Sequence, residues 1–125
     1  MMINLIYVAF GGAVGAVLRY VTGLGVLRLA GGGFPLAIIT VNILGSFLMG
    51  LLVVMAAKRG FDHLNPLILT GVLGGFTTFS AFSLETVTLI EKGQNMAALA
   101  YVLISVIGSI LALALGVWLA RGVWA

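Results

Sequence analysis

Between Gly71 and Glu85 a long apolar segment turns polar without becoming a loop: Gly71-Val-Leu-Gly-Gly-Phe-Thr-Thr-Phe-Ser-Ala-Phe-Ser-Leu-Glu85. It holds adjacent glycines at 74 and 75, the hydroxyls of Thr77, Thr78, Ser80 and Ser83, and phenylalanines at 76, 79 and 82. Two further polar sets recur in apolar surroundings. Asn42, Ser46 and Gly50 stand at i, i+4, i+8, and so do Tyr101, Ser105 and Ser109, which puts each set on one face of a helix. These are neutral groups. An Asn amide offers two N–H donors and a hydroxyl offers one donor and two lone pairs, so the sets can join helices or donate to an anion. Acid–base and nucleophilic chemistry is another matter, because no Ser/His/Asp set, metal cluster or phosphate loop is present, and an enzyme is the least supported class. His63 is the only histidine; without a neighbouring Cys, Asp or Glu cluster it reads as an exposed loop residue and not as a metal ligand. There is no cysteine, hence no disulfide or thiol chemistry.

The elements that must position these groups are membrane helices. Of 125 residues, 62% are hydrophobic and only 7% charged, far below the roughly 25% charged usage of soluble domains, and the mean hydropathy is +1.29. A membrane helix takes about 20 apolar residues, so four of them use most of the chain and leave no room for an extramembrane domain. Residues 1–125 are expected to form a single four-helix transmembrane domain. The net charge of +3 does not point to nucleic acid, because Arg19, Arg28, Lys58, Arg59, Lys92 and Arg121 are scattered and stand mostly at segment ends, as interfacial anchors do. The N-terminus has no basic n-region followed by a small-residue cleavage site, so the first apolar segment is expected to remain as a helix.

Segment one runs from about Ile3 to Leu27, and its Gly11 and Gly15 form a small-xxx-small spacing suited to close helix contact. Arg19, followed by Tyr20, either snorkels to the headgroups or supplies positive potential at the mouth of an anion pathway. Gly31-Gly32-Gly33-Phe34-Pro35 is a flexible connection ending in a proline suited to a helix start. Segment two, about Leu36 to Ala57, carries Asn42 either as interhelical glue or as a donor. Lys58 to Pro66 is a loop by its charges, glycine and proline. Segment three spans residues 65–90, and its centre is expected to break between Gly74 and Thr77: adjacent glycines are costly in a helix, and the Thr/Ser hydroxyls compete for backbone partners. In hydrocarbon such a break is tolerated only where it is buried or lines a cavity or ion site, so it is a functional hypothesis. Glu85, six residues before the 91–95 loop, is either near the interface or a deliberately buried acid. Segment four, about Met96 to Leu119, carries the Tyr101, Ser105, Ser109 stripe, whose hydroxyls either line something or bond their own i−4 carbonyls. Gly108, Ala112 and Gly116 repeat on a neighbouring face, and Trp118 and Trp124 bracket Arg121 as an interfacial belt.

With four spans, Lys58, Arg59 and Arg121 share one side; Arg28 and Lys92 lie on the other, joined by Arg19 if it snorkels that way. Because orientation follows Lys/Arg asymmetry, so small a bias predicts insertion in both orientations. A small chain with glycine-rich faces and both orientations available is a candidate for an antiparallel homodimer with its two-fold axis in the membrane plane, as in inverted-repeat transporters.

Three motifs stand in order along nearly the whole chain: Gly11-Gly12-x-x-Gly15-Ala16-x-x-Arg19-Tyr20; Thr40-Val41-Asn42-x-x-Gly45-Ser46-Phe47-x-x-Gly50; and Gly71-x-x-Gly74-Gly75-Phe76-Thr77-Thr78-Phe79-Ser80-x-Phe82-Ser83-x-Glu85. Together they closely resemble the Fluc (CrcB) family of fluoride channels. The resemblance implies an all-α membrane fold in which the third helix is broken near its middle, assembled as a dual-topology antiparallel homodimer in the bacterial inner membrane. It implies passive export of fluoride through two pathways, and a structural sodium ion at the dimer centre with no organic cofactor. By motif position Phe79 and Phe82 are the pore phenylalanines and Asn42 the pore asparagine. The polar track takes in Thr78, Ser80, Ser83, Tyr101, Ser105 and Ser109, with Arg19 at the vestibule. Main-chain carbonyls around Gly74 and Thr77 hold the sodium. One departure is Ala81, where the family often has threonine. The implied partners are fluoride, sodium, a second copy of the chain and the lipid bilayer.

The residues read in the same direction without the resemblance. Fluoride is small and strongly hydrated, so its water must be replaced by hydroxyls, an Asn amide or the electropositive edges of aromatic rings. A broken helix exposes carbonyl oxygens, hard ligands for a cation. Two rivals belong to other classes. A small dual-topology multidrug antiporter needs a membrane-embedded carboxylate, yet segment one has no acid and Glu85 lies toward a helix end. A structural subunit without transport would give no ion flux in liposomes.

Overall fold

In the computed structural model, residues 1–31 and 34–124 are described; Gly32 and Gly33 of the expected glycine connection lie outside them, as does the Trp124 side chain of the expected belt. Among the described residues, four helical spans are long and apolar enough to cross a membrane. Helix α1 covers Met2–Ala30 and α2 covers Leu36–Arg59, each two or three residues longer at its C-terminus than the apolar runs alone require. Both stop at glycine: Gly31 and Gly60 take φ of 77° and 76°, a region closed to most side chains, and each donates its N–H back to the helix end.

The third span, Asp62–Glu91, is a composite. After a short 3₁₀ turn, Asp62–Leu64, comes α3, residues 66–76: a π-helical stretch, Pro66–Leu73, that tightens into an α-helical turn, Gly74–Phe76. Thr77 and Thr78 are extended, and α4 then runs Phe79–Glu91. The last helix, α5, covers Asn95–Trp124. The break is therefore present, at the C-terminal end of the expected stretch. Gly74 and Gly75 are helical, and the two threonines carry the extended conformation. Helix contact explains the difference, since a Cβ on Gly75 would come within 2.7 Å of the Gly12 carbonyl; the glycine is there for close approach, not to interrupt the helix.

Glycines set the packing of the whole bundle. Lipid tails are as apolar as leucine, so membrane helices associate through van der Waals contact between small residues. Gly11 and Gly15 of α1 lie on α3, where an added Cβ would meet the Leu67 and Val72 carbonyls, Gly71 Cα at 2.9 Å and Phe76 N at 2.8 Å. Gly50 of α2 and Gly116 of α5 face each other, each pressed on the other helix's backbone, and Gly108 meets Ile43. The small-xxx-small spacings thus pair α1 with α3 and α2 with α5. Between α2, α4 and α5 sits a compact cluster of Ile39, Phe82, Leu89, Ala98 and Tyr101. Outward positions are apolar, as in Ile6, Phe10, Leu24, Leu99, Ile107 and Leu111. The protein is a multi-pass membrane protein.

Candidate functional site

The break is built by three hydroxyl or amide side chains. Thr77 donates both its N–H and its hydroxyl to the Leu73 carbonyl, each at 3.0 Å, which closes α3. The Thr78 hydroxyl caps α4 by accepting the Ala81 N–H at 3.2 Å and meets the Ser80 hydroxyl at 3.2 Å; an N-cap of this kind is a standard start for a helix. From α2, Asn42 reaches across to Thr78 with both ends of its amide. Its Oδ1 accepts the Thr78 N–H at 2.8 Å and its Nδ2 donates to the Thr78 carbonyl at 3.0 Å. Donor must face acceptor at each end, so this pairing also settles which way the amide points.

Beside the break lies a cleft of about 310 Å³, lined on α2 by Asn42 and Ser46, on the third span by Thr78, Phe79 and Phe82, and on α5 by Ser105 and Ser109. The two phenylalanine rings are 5.2 Å apart and tilted by 49°. Phe82 is buried and stacks on Tyr101, whereas Phe79 is 76% exposed.

The hydroxyls fall into two groups. Thr40, Ser83, Thr86 and Thr88 each donate to the carbonyl four residues earlier at 2.8–3.0 Å. On α5 this does not happen: the Tyr101, Ser105 and Ser109 oxygens are buried with no hydrogen-bond partner among the described residues. A buried polar group left unpaired costs roughly 1–3 kcal/mol, so such groups in one stripe point to something that satisfies them in the working protein. Ser105 and Ser109 face the cleft.

Of the residues expected along a pathway, the fold gathers Asn42, Thr78, Phe79, Phe82, Ser105 and Ser109 around one cleft. It leaves others outside. Tyr101 stands behind Phe82, fully buried, with its ring also edge-on to Phe34 at 5.9 Å. Ser80 and Ser83 lie on the exposed side of α4, and Ser83 already donates to Phe79. Arg19 is half-buried on α1 and does not line the cleft. Gly74 is exposed, and a Cβ there would touch only the Leu69 carbonyl at 3.6 Å. Ser46 is an addition. The shared face with Asn42 was the signal for it, although the motif itself gave it no role. Glu85 is half-buried within α4 and lines a second cleft of about 200 Å³ with Phe34, Thr88 and Lys92, between the end of α1, the start of α2 and α4.

Comparison with known proteins adds an independent finding. The family described as CrcB-like protein, Camphor Resistance (CrcB), matches residues 6–117. The chain is 60% identical over 125 residues to a protein of Roseobacter denitrificans named fluoride-specific ion channel FluC, covering 98% of this chain and 99% of that one. A protein of the same name from Ruegeria sp. is 58% identical over 124 residues, with 98% of each chain covered. A third, from Jannaschia sp., is 66% identical over 95 residues, or 76% of this chain and 90% of that one.

Proposed function

The chain belongs to the CrcB family, a family of ion channels and not of enzymes, and from that membership we propose that it is a fluoride-selective channel that lets cytoplasmic fluoride leave the cell passively. The observation that carries the reading at the residue level is the pair of buried hydroxyls of Ser105 and Ser109, without a hydrogen-bond partner among the described residues, lining one cleft with Phe79 and Phe82. A fluoride ion passing there exchanges water for hydroxyl donors, for the N–H of Asn42 that Thr78 does not use, and for the positive edges of two rings. Few, close donors fit the smaller halide. Chloride, larger and so held more weakly by the same donors, is kept out by a tight and partly apolar path.

The working unit in this proposal is an antiparallel homodimer in the bacterial inner membrane, with each protomer contributing walls to two pathways. Two features support it. The Lys/Arg balance across the four spans is nearly even, so either orientation inserts. The exposed face around Gly74, Phe79, Ser80 and Ser83 brings the broken part of the third span to the surface of the protomer, where hydrocarbon does not tolerate irregular backbone, and a second copy would cover it. A structural sodium ion belongs to the same reading. The main-chain carbonyls of Gly74 and Thr77 are hard oxygen donors at a helix end, and Gly74 is exposed on the protomer; bound there, sodium would neutralise unpaired acceptors.

The test is purified protein in liposomes loaded with fluoride and read with a fluoride electrode. Rapid fluoride efflux with chloride retained is the expected result. No fluoride flux from folded, reconstituted protein would overturn the channel reading.

A further inference from the structure

In an uninterrupted α-helix the N–H of residue i bonds the carbonyl of residue i−4. In the third span the π-helical stretch Pro66–Leu73 passes into an α-helical turn, and that turn closes with the Thr77 N–H on the Leu73 carbonyl at 3.0 Å. The next rung would join Thr78 N–H to the Gly74 carbonyl. Instead the Thr78 N–H is held by Asn42 Oδ1 at 2.8 Å, while Asn42 Nδ2 donates to the Thr78 carbonyl at 3.0 Å. The ladder is interrupted at the residue where Asn42 arrives from another helix.

We propose that Asn42 is a positioning residue that splints the third span open: by capturing both polar groups of the Thr78 backbone it keeps residues 77–78 extended and releases the Gly74 carbonyl from the helix. In hydrocarbon an extended segment survives only if its N–H and C=O groups find partners, and one planar amide offers a donor and an acceptor side by side. Hydroxyl residues lack this geometry, and so does aspartate, which offers no donor when ionised. The splint also couples the two ion sites. Asn42 lines the cleft, and the carbonyl it releases is one of those assigned to sodium. This coupling rests on the sodium reading above; the conformational role does not.

The experiment separates the two. Protein labelled with carbon-13 at threonine is reconstituted in liposomes, and the Cα and Cβ shifts of Thr77 and Thr78 report extended or helical backbone. The parent is expected to give extended shifts at both. In Asn42→Leu, of the same branched shape but without polar groups, Thr78 is expected to move to helical shifts as its N–H returns to Gly74. Extended, unchanged shifts in a folded Asn42→Leu protein would overturn the splint. If that variant does not fold, Asn42→Ala, which removes both contacts without adding bulk, is read in the same way, and unchanged Thr78 shifts there would equally overturn it. The second measurement is the sodium concentration giving half of the sodium-dependent rise in melting temperature, with a large organic cation as the replacement. It is expected to rise at least about tenfold in either variant, or ~1.4 kcal/mol in binding. A parent indifferent to sodium would remove the sodium reading and the coupling while leaving the shift test intact; a sodium response in the parent that is unchanged in variants with helical Thr78 would remove the coupling alone.

Discussion

Phe82 lies nearly flat on Tyr101, with ring centroids 5.4 Å apart and planes 27° from parallel, while its neighbour Phe79, one helical turn away, pairs with Phe82 alone among the described rings and is 76% exposed. The two phenylalanines that sequence spacing treats as equivalent therefore differ in what holds them. Replacing Phe82 with Ile removes a stacked pair worth roughly 0.5–1.5 kcal/mol beyond its area and repacks a buried site, so a loss of about 1–2 kcal/mol in stability is expected. Phe79→Ile changes an exposed side chain of the protomer and is expected to stay within about 0.5 kcal/mol. Both should cut fluoride efflux at least about tenfold, or ~1.4 kcal/mol on the barrier. Thermal unfolding and electrode efflux read the two effects separately. Folded variants carrying fluoride at the parental rate would remove the ring edges from the mechanism.

Ser105 and Ser109 give the sharpest contrast between stability and flux. Because neither hydroxyl has a partner among the described residues, Ser105→Ala and Ser109→Ala remove an unpaired polar group and are expected to leave stability unchanged or raise it by up to about 1 kcal/mol. Efflux should nonetheless fall. Thr78→Val is the opposite case: it deletes the cap on the Ala81 N–H and is expected to cost about 1 kcal/mol. A serine variant that destabilises the protein as much as the cap variant would show that those hydroxyls serve structure.

The helix contacts predict an ordered glycine series. Gly11→Ala and Gly75→Ala drive a Cβ into backbone, the latter within 2.7 Å of the Gly12 carbonyl, and should cost about 1–3 kcal/mol or prevent assembly. Gly12→Ala meets nothing within 4 Å and gains helix propensity of up to about 1 kcal/mol. The readout is the yield of dimer by size-exclusion chromatography together with its melting temperature. Equal tolerance at Gly12 and Gly75 would contradict the packing of α1 on α3.

Orientation is tested in cells. A C-terminal tag on the parent is expected to be accessible to external protease in one population and protected in another, because Lys58, Arg59 and Arg121 are balanced by Arg28 and Lys92. Adding two or three lysines to one set of loops should force a single orientation and abolish function, and co-expression with the oppositely biased variant should restore it. A wholly protected or wholly accessible parent would end the antiparallel reading.

Much of this protein was settled by the chain alone. Four spans follow from the length of the apolar runs, the pairings of α1 with α3 and α2 with α5 use glycine spacings visible as i, i+4 repeats, and the Asn42–Ser46 and Ser105–Ser109 faces follow from helical periodicity. Periodicity is local, and it says which residues share a face without saying what that face meets. Three matters were decided only by tertiary contact. The residue pattern put the break between Gly74 and Thr77, and tertiary contact decided where in that stretch it falls: Gly75 packs on Gly12 within the helix, and the extended residues are Thr77 and Thr78, where Asn42 from another helix satisfies the backbone. The π-helical widening of Pro66–Leu73, the stretch that seats on Gly11, left no mark in the residue pattern. Hydroxyls of one chemistry were sorted into two fates: Ser83 bonded its own helix, while Ser105 and Ser109 were left free to face the cleft. Each outcome turns on a partner distant in sequence, whose position exists only once the helices have packed.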